Sequence, residues 1–290
     1  MERIAIVIPV FNEEANLPET IRQLEDLTRR SEPEFEVVFV NDGSTDRTRE
    51  LLSRINHPGF TVIHHPVNRG YGASLKTGIG ISTAPYICIT DADGTYPNEQ
   101  IPDLFHEMKR VDASMVVGAR TGKIVKIPLF RKVAKGILNR LANYLAGTTI
   151  PDINSGLRIM KREDIRRFMN ILPDGFSFTT TITLAMLTNN LRVQFLPINY
   201  YERGGKSKIR PFYDTLNFLQ LIIRTCLYFK PLQVFIPMSG LLLVCAIMVA
   251  VVSWLVTDRI MDVTFGVLVM TSVLVLAIGM LADLIDKRLP

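Results

Sequence analysis

The chain has 290 residues, 48% of them hydrophobic, with 33 Lys and Arg against 28 Asp and Glu for a net charge of +5. That length allows one large domain or two small ones, and the positive charge suits a surface lying against anionic lipid. No basic motif with interleaved aromatics appears, which argues against nucleic acid. The three cysteines, Cys88, Cys226 and Cys245, share no metal-ligand spacing and fit a reducing compartment as small hydrophobes.

The first 120 residues alternate strand and helix. "RIAIVIPVF" reads as an apolar strand that opens the chain, not as a secretory signal. "NEEANLPETIRQLEDLTRR" follows as a helix, with Leu17, Ile21, Leu24 and Leu27 on its apolar face. "FEVVFVND" is the second strand, and "TDRTRELLSRIN" a helix whose expected N-cap is Thr45. "FTVIHHP", "GASLKTGIGIS" and "YICITDAD" continue as strand, helix and strand, then "QIPDLFHEMKRV" and "ASMVVGAR" as helix and strand. Such alternation implies right-handed βαβ units around a mostly parallel sheet, with ligands bound beyond the carboxyl ends of the strands. The four histidines, His57, His64, His65 and His106, read as loop and surface positions.

Two later segments are amphipathic. Residues 128–146 place Leu129, Phe130, Val133, Ile137, Leu138, Leu141 and Leu145 on one helix face, opposite Arg131, Lys132, Lys135 and Arg140. A helix of that kind packs on a core or lies in a membrane interface. Residues 211–231 are apolar on most sides, with a narrow polar stripe of Asp214, Asn217, Gln220 and Arg224. They lead directly into two uncharged stretches, Leu232 to Thr257 and Val263 to Ala282, read as spans of about 233–257 and 262–283, each with the roughly 20 apolar residues that cross a bilayer core. A pair of buried core helices would carry a polar face, and neither stretch has one. A transmembrane hairpin joined by "DRIMD" is therefore expected. Lys230, Lys287 and Arg288 flank it on one side, so the positive-inside rule puts the large domain and both termini in the cytoplasm. Arg259 in the turn argues the other way, balanced by Asp258 and Asp262.

The candidate chemistry lies in acids at strand ends. "GYGASLKTG" lacks the Gly that a Walker loop needs before its Lys, since Leu75 stands there, and no glycines follow the first strand as a dinucleotide fingerprint requires. Asp91 and Asp93 end the strand "PYICIT" one residue apart. Like charges so close require a cation between them. Hard carboxylate oxygens suit Mg²⁺ or Mn²⁺ completed by phosphate and water, and the absence of nearby His or Cys disfavours zinc.

In series, "VIPVFNEEANL", "VFVNDGSTDRT", "NRGYGASLKTGI" and "DADGTYP" closely resemble the GT-A fold glycosyltransferases of family 2. Within that family, "GAR", "NSGLRIMKR", "GFSFTTTITL" and "YYERGGKSKIR" are similar to the polyprenyl-phosphate sugar synthases of the dolichol-phosphate mannose synthase type. The resemblance covers about residues 4 to 230. It implies an α/β GT-A catalytic domain over 1–210, an interface helix over 211–231 and the hairpin over 232–290. The implied reaction is metal-dependent, inverting transfer of a hexose from a nucleotide sugar to polyprenyl phosphate at the cytoplasmic face of the bilayer. A homo-oligomer remains an option.

The resemblance also implies roles for individual residues. Pro9, Phe11 and Glu13 lie where the first loop contacts the nucleotide, and Asp42 where a carboxylate recognises the base. Asp91, Ala92 and Asp93 match the metal and diphosphate motif. Arg120 and Arg131 match arginines that meet phosphate, and Asp152 and Ser155 lie near the reacting centre. Arg203, Lys206 and Lys208 fall in the loop that closes over the diphosphate. Two departures stand out: Thr95 occupies a position where the family often has a Gln metal ligand, and Thr179, Thr180 and Thr181 stand where acids often follow "GFSF". The base is then Asp152 or none. A processive polysaccharide synthase would carry a Gln-x-x-Arg-Trp signature, but Trp254 is the only tryptophan and lies in the first span. A degenerate sugar-nucleotide-binding membrane scaffold is the non-enzymatic alternative.

Overall fold

The computed structural model describes residues 2–29, 33–122, 143, 147–175, 177–201, 227, 231–257 and 262–288. Most of segments 128–146 and 211–231 fall outside these residues, as do Arg131, Arg203, Lys206 and Lys208. The chain forms two units, Met1–Phe218 and Leu219–Pro290.

In the first unit, β1 (Arg3–Val10), β2 (Glu34–Asn41), β3 (Phe60–His64) and β4 (Tyr86–Ile89) alternate with α1 (Leu17–Thr28), α2 (Thr48–Ser53) and α3 (Tyr71–Ile81). After α4 (Ile101–Val111) come β5 (Met115–Ala119), β6 (Arg158–Lys161), α5 (Arg162–Phe168), α6 (Phe178–Thr188) and β7 (Val193–Pro197). They build one seven-stranded sheet in the order β3-β2-β1-β4-β6-β5-β7. Only β6 runs antiparallel to its neighbours. It was not marked by any sequence pattern, being four residues long and beginning with an arginine. β1 is central and carries an unbroken apolar run because helices cover both faces: Ile4 through Ile8 are fully buried.

Local chemistry sets the helix ends. Pro18 and Pro102 sit in the first turns of α1 and α4, where no intrahelical N–H partner is lost. The expected Thr45 cap does not form. α2 begins at Thr48, whose N–H donates to Asp46 Oδ1 at 3.0 Å, while the Thr45 N–H donates to Asn12 Oδ1 at 2.8 Å. The Thr45 hydroxyl is turned to the same oxygen, at 3.4 Å, and Asn12 itself has a left-handed φ of 54°. The Asn12 and Glu13 N–H groups donate to Ser44 Oγ and Thr48 Oγ1, which sews the loop after β1 to the start of α2.

The strand ends define a rim. β1, β2, β4, β5 and β7 all point their carboxyl ends the same way, and antiparallel β6 starts there. The sheet order reverses between β1 and β4, the kind of switch point at which α/β sheets open a crevice.

The second unit contains α7 (Leu232–Thr257) and α8 (Asp262–Arg288), both long and apolar enough to cross a membrane. They pack on each other through a reciprocal serine clamp. Ser239 Oγ donates to the Ser272 carbonyl at 3.0 Å and Ser272 Oγ to the Ser239 carbonyl at 2.9 Å. Gly279 leaves room for the ring of Phe235. Their outer faces are exposed, Val263 by 81% and Val256 by 77%, as lipid-facing residues would be and core residues would not.

One packing contact secures the start of α3. A Cβ on Gly72 would lie 2.1 Å from the Pro173 carbonyl oxygen, whereas one on Gly80 meets nothing within 4 Å. Gly72→Ala is expected to cost about 1–3 kcal/mol through overpacking and lower the melting temperature by several degrees. Gly80→Ala removes a helix-interior glycine and should raise it slightly. Thermal unfolding of the full chain in detergent checks both.

Candidate functional site

The rim collects every predicted site residue that the structure describes. Pro9 belongs to β1, and Phe11 follows it, 37% exposed. Glu13 is buried, with Oε2 accepting from Asn16 Nδ2 at 3.0 Å. Asp42 follows β2, its N–H donating to the Val10 carbonyl at 2.8 Å, so it stands beside Phe11. Asp91, Ala92 and Asp93 follow β4, Arg120 follows β5, and Asp152 and Ser155 lead into β6.

Each acid is fixed by donors from the protein. Tyr71, at the first position of α3, donates its hydroxyl to Asp91 Oδ1 at 3.1 Å. Burial, and then the Asp91 charge, push the Tyr71 pKa well up, so it stays a donor. Behind Asp91, a Cβ on Gly156 would lie 2.9 Å from Oδ2 and 3.0 Å from Oδ1. Only glycine leaves that carboxylate its place. Asp93 Oδ1 accepts from the Thr95 hydroxyl at 2.6 Å and the Thr95 N–H at 3.2 Å. Thr95 is fully buried, and its carbonyl accepts from the Tyr201 N–H at 3.0 Å. It orients Asp93, a role that its description as a poor metal ligand missed.

Arg120 and Asp152 form one unit. Arg120 Nε and Nη2 donate to Asp152 Oδ2 and Oδ1 at 2.7 and 2.9 Å, a bidentate fork. The Arg120 N–H adds 3.0 Å to Oδ2 and the Asn154 N–H 3.2 Å to Oδ1. Burial opposes the Arg120 charge, yet the hydrogen bonds it donates to Asp152 hold its pKa above the ordinary arginine value. The guanidinium also lies over the Tyr200 ring, 5.2 Å from its centroid. Tyr200 in turn meets Tyr96 edge-on at 5.3 Å, and the Tyr96 hydroxyl accepts from the Gly156 N–H at 2.7 Å. With four donors converging on it, Asp152 is built to hold Arg120, which fits poorly with the proton transfer expected of a base. Ser155 is likewise committed, its buried hydroxyl donating to the Gly118 carbonyl at 2.5 Å.

Sequence reasoning missed three further groups. His65 is buried, not a surface residue, and its ring bridges Asp42 and Thr77. His64, at the end of β3, meets Asn41 Nδ2 at 3.0 Å. Arg158, at the start of β6, is the largest fully buried side chain. It donates to the carbonyls of Ser155 and Thr179 and, at 2.9 Å, to Thr183 Oγ1. Burial brings its pKa down to about 10. The signal for Arg158 was available in "NSGLR" beside the threonine run, whose hydroxyl and carbonyl groups are what a buried guanidinium needs.

Among the described residues, no three His, Cys, Asp or Glu side chains gather as a metal cluster. A divalent ion at this rim would therefore rely on Asp91 and Asp93 and complete its shell from ligand oxygens and water.

Comparison with known proteins places this geometry. The profile of glycosyl transferase family 2 matches residues 5–168. The "Dolichyl-phosphate hexose transferase" of Haloferax volcanii is 31% identical over 225 residues, covering 77% of this chain and 94% of that protein. The "Undecaprenyl-phosphate 4-deoxy-4-formamido-L-arabinose transferase" of Enterobacter sp. is 28% identical over 237 residues, covering 80% and 70%. The "Low-salt glycan biosynthesis hexosyltransferase Agl6" of Haloferax volcanii is 29% identical over 219 residues, and the match spans 73% of this chain but about half of Agl6, 51%. Among solved structures, glucosyl-3-phosphoglycerate synthase from Mycobacterium tuberculosis, in complex with Mn²⁺, UDP-glucose and phosphoglyceric acid, shares the fold. Its TM-score is 0.57 at 18% identity, covering 78% of this chain and 80% of that one.

The Arg120–Asp152 pair separates a holding role from a base. Breaking a buried pair costs about 3 kcal/mol, or roughly 6–12 °C in melting temperature for a unit of this size. Asp152→Asn is expected to lower melting temperature and turnover together. Lost turnover at an unchanged melting temperature would identify Asp152 as a base.

Proposed function

The chain belongs to the family 2 glycosyltransferases, and from that premise we propose that it transfers a hexose from a UDP- or GDP-linked sugar to a polyprenyl phosphate, undecaprenyl or dolichyl. The observation that carries this reading is the pairing, in one chain, of a carboxylate rim at the sheet switch point with two membrane-length helices. A lipid acceptor has to be met at the bilayer surface, and two of the relatives above are named as transferases of dolichyl phosphate and undecaprenyl phosphate. The catalytic unit and both termini lie on the cytoplasmic side in this reading, in line with Lys230, Lys287 and Arg288 flanking the hairpin.

The chemistry follows from the charges. An oxygen of the acceptor phosphate attacks the anomeric carbon on the face opposite the nucleoside diphosphate. The bond from that carbon to the β-phosphate oxygen breaks, and its electron pair leaves with the diphosphate, inverting the configuration. Because a phosphate monoester is already anionic near neutral pH, no proton has to be removed, and no base is required. That accords with a fully engaged Asp152 and with threonines at 179–181.

Asp91 and Asp93 would hold a Mg²⁺ or Mn²⁺ ion, which when bound stabilises the negative charge of the departing diphosphate. Tyr71, Gly156 and Thr95 keep those carboxylates in place. Pro9, Phe11, Glu13 and Asp42 form the nucleotide side of the site, and Asp42 serves the base. Arg120 offers the phosphates a cation braced by Asp152 and Tyr200. Arg131, Arg203, Lys206 and Lys208 complete the phosphate-facing set in this proposal, on the strength of their motifs.

The test is a panel of nucleotide sugars offered to the purified protein with undecaprenyl phosphate, reading the lipid product by mass. A lipid-linked hexose from at least one donor is expected; none across a broad panel sinks the proposal. With metal present, Asp93→Ala should reduce turnover by about a hundredfold or more, and unchanged turnover would remove Asp93 from the metal site. Thr95→Val, which keeps the volume but removes the hydroxyl bond to Asp93 Oδ1, should raise the metal concentration needed for half-maximal turnover.

A further inference from the structure

Arg158 is fully buried, and the groups it donates to are carbonyls and a hydroxyl, with no carboxylate among them. A buried cation is often less favourable than an apolar side chain of similar volume, so its presence calls for a reason. The sheet register supplies one. β4 and β6 run antiparallel with Ile89 opposite Arg158, and the same register carried two residues further sets Asp91 opposite Gly156. The two residues are in contact there, since a Cβ on Gly156 would lie 2.9 Å from Asp91 Oδ2.

The wall behind Asp91 is thus the peptide group that joins Ser155 to Gly156, and both of its polar ends are gripped. Its carbonyl accepts from Arg158 Nε at 3.2 Å and from Nη2 as well. Its N–H donates to the Tyr96 hydroxyl at 2.7 Å. The remaining nitrogen of the fork, Nη1, donates to the Thr179 carbonyl at 2.8 Å and to Thr183 Oγ1 at 2.9 Å. One guanidinium therefore ties the wall to α6. A peptide plane held at its oxygen and its nitrogen has little freedom to tilt, and Asp91 rests against it while Oδ1 receives the Tyr71 hydroxyl.

We propose that Arg158 and Tyr96 are positioning residues for Asp91: by gripping the Ser155–Gly156 peptide from both ends they fix where that carboxylate presents its oxygens to a divalent ion. This rests on the metal assignment proposed above. Both residues act through the peptide. Arg158 contributes geometry more than charge, because lysine keeps the charge but has one nitrogen, which cannot occupy the places of Nη1 and Nη2 together. Tyr96 contributes a hydroxyl, and its ring is separately held edge-on to Tyr200.

The test is Mn²⁺ binding to the full-length protein in detergent, with UDP and separately with GDP, read from the paramagnetic resonance of the free ion. Melting temperature is recorded alongside. Arg158→Lys is expected to weaken Mn²⁺ binding by about tenfold or more, and Tyr96→Phe, which keeps the ring, to weaken it severalfold. Leu52→Ala opens a cavity in buried α2, which packs on α1, β2 and β3. It should lower the melting temperature and leave Mn²⁺ affinity at the wild-type value. A variant at 158 or 96 that binds Mn²⁺ as the wild type does, whatever its melting temperature, overturns the role of that residue. An equal loss of affinity in Leu52→Ala overturns the proposal for both. If Arg158→Lys does not fold, Tyr96→Phe decides on the same terms. Wild-type protein that binds no Mn²⁺ with either nucleotide overturns the metal assignment itself, and this inference with it.

Discussion

The site depends on one constraint: carboxylates crowded onto the rim of a parallel sheet have to be oriented by hydrogen donors from the protein. Asp42 is held by two backbone N–H groups and His65, Asp91 by Tyr71, Asp93 by Thr95, and Asp152 by Arg120. These donors come from α3, from the segment between β3 and α3, and from the loops after β4 and β5. The sheet order therefore decides which acid is paired and which faces a ligand. Asp152, with a bidentate cation, becomes a brace; Asp91 and Asp93 accept from the neutral hydroxyls of Tyr71 and Thr95, and in the proposed function their charge serves a metal.

The buried Arg158 shows the same logic applied to a cation. Its donors meet carbonyls and a threonine hydroxyl, with no carboxylate among its hydrogen-bond partners. That accounts for Thr183 of α6, whose hydroxyl receives Arg158, whereas Thr179 meets it through the backbone carbonyl. Thr179 and Thr183 accept from Arg158, and Thr180 Oγ1 donates to Asn154 Oδ1 at 2.6 Å, beside the Arg120–Asp152 pair. A carboxylate at 180 would face the Asn154 amide oxygen without a hydrogen to donate, in a buried region. Threonine supplies that hydrogen.

The strands of the first 120 residues were legible because burial on both faces leaves an unbroken apolar run, as in Ile4 to Ile8. The site was legible as separate acids at strand ends, since αβ alternation fixes where those ends lie. Pairings across the sheet were not legible. Arg120 and Asp152 stand 32 residues apart and meet only because β6 inserts between β4 and β5. β6 itself hid behind its short length and its arginine. His65 looked like a surface residue because it sits in "IHHP" near the sheet edge, yet Asp42 and Thr77 draw its ring inward. Thr95 was weighed only as a metal ligand, whereas its hydroxyl reaches two residues back.

In the proposed reaction, dispensing with a base also gives a reason for the rim and the two membrane-length helices to occur in one chain. A hydroxyl acceptor needs a proton removed during attack, which demands a carboxylate with a free oxygen near the anomeric carbon. A phosphate acceptor brings its own negative charge, and the site's problem becomes one of bringing two anions, donor diphosphate and acceptor phosphate, within bonding distance. In the proposed function cations solve that: a divalent ion that Asp91 and Asp93 would hold, and an arginine whose position is secured by Asp152 and Tyr200. The acceptor's hydrocarbon tail makes membrane-length helices useful, because partitioning confines its phosphate to the headgroup layer and raises its local concentration. The clamped serines of α7 and α8 satisfy each other within the pair, so the outward faces stay apolar, as an anchor for such an acceptor requires.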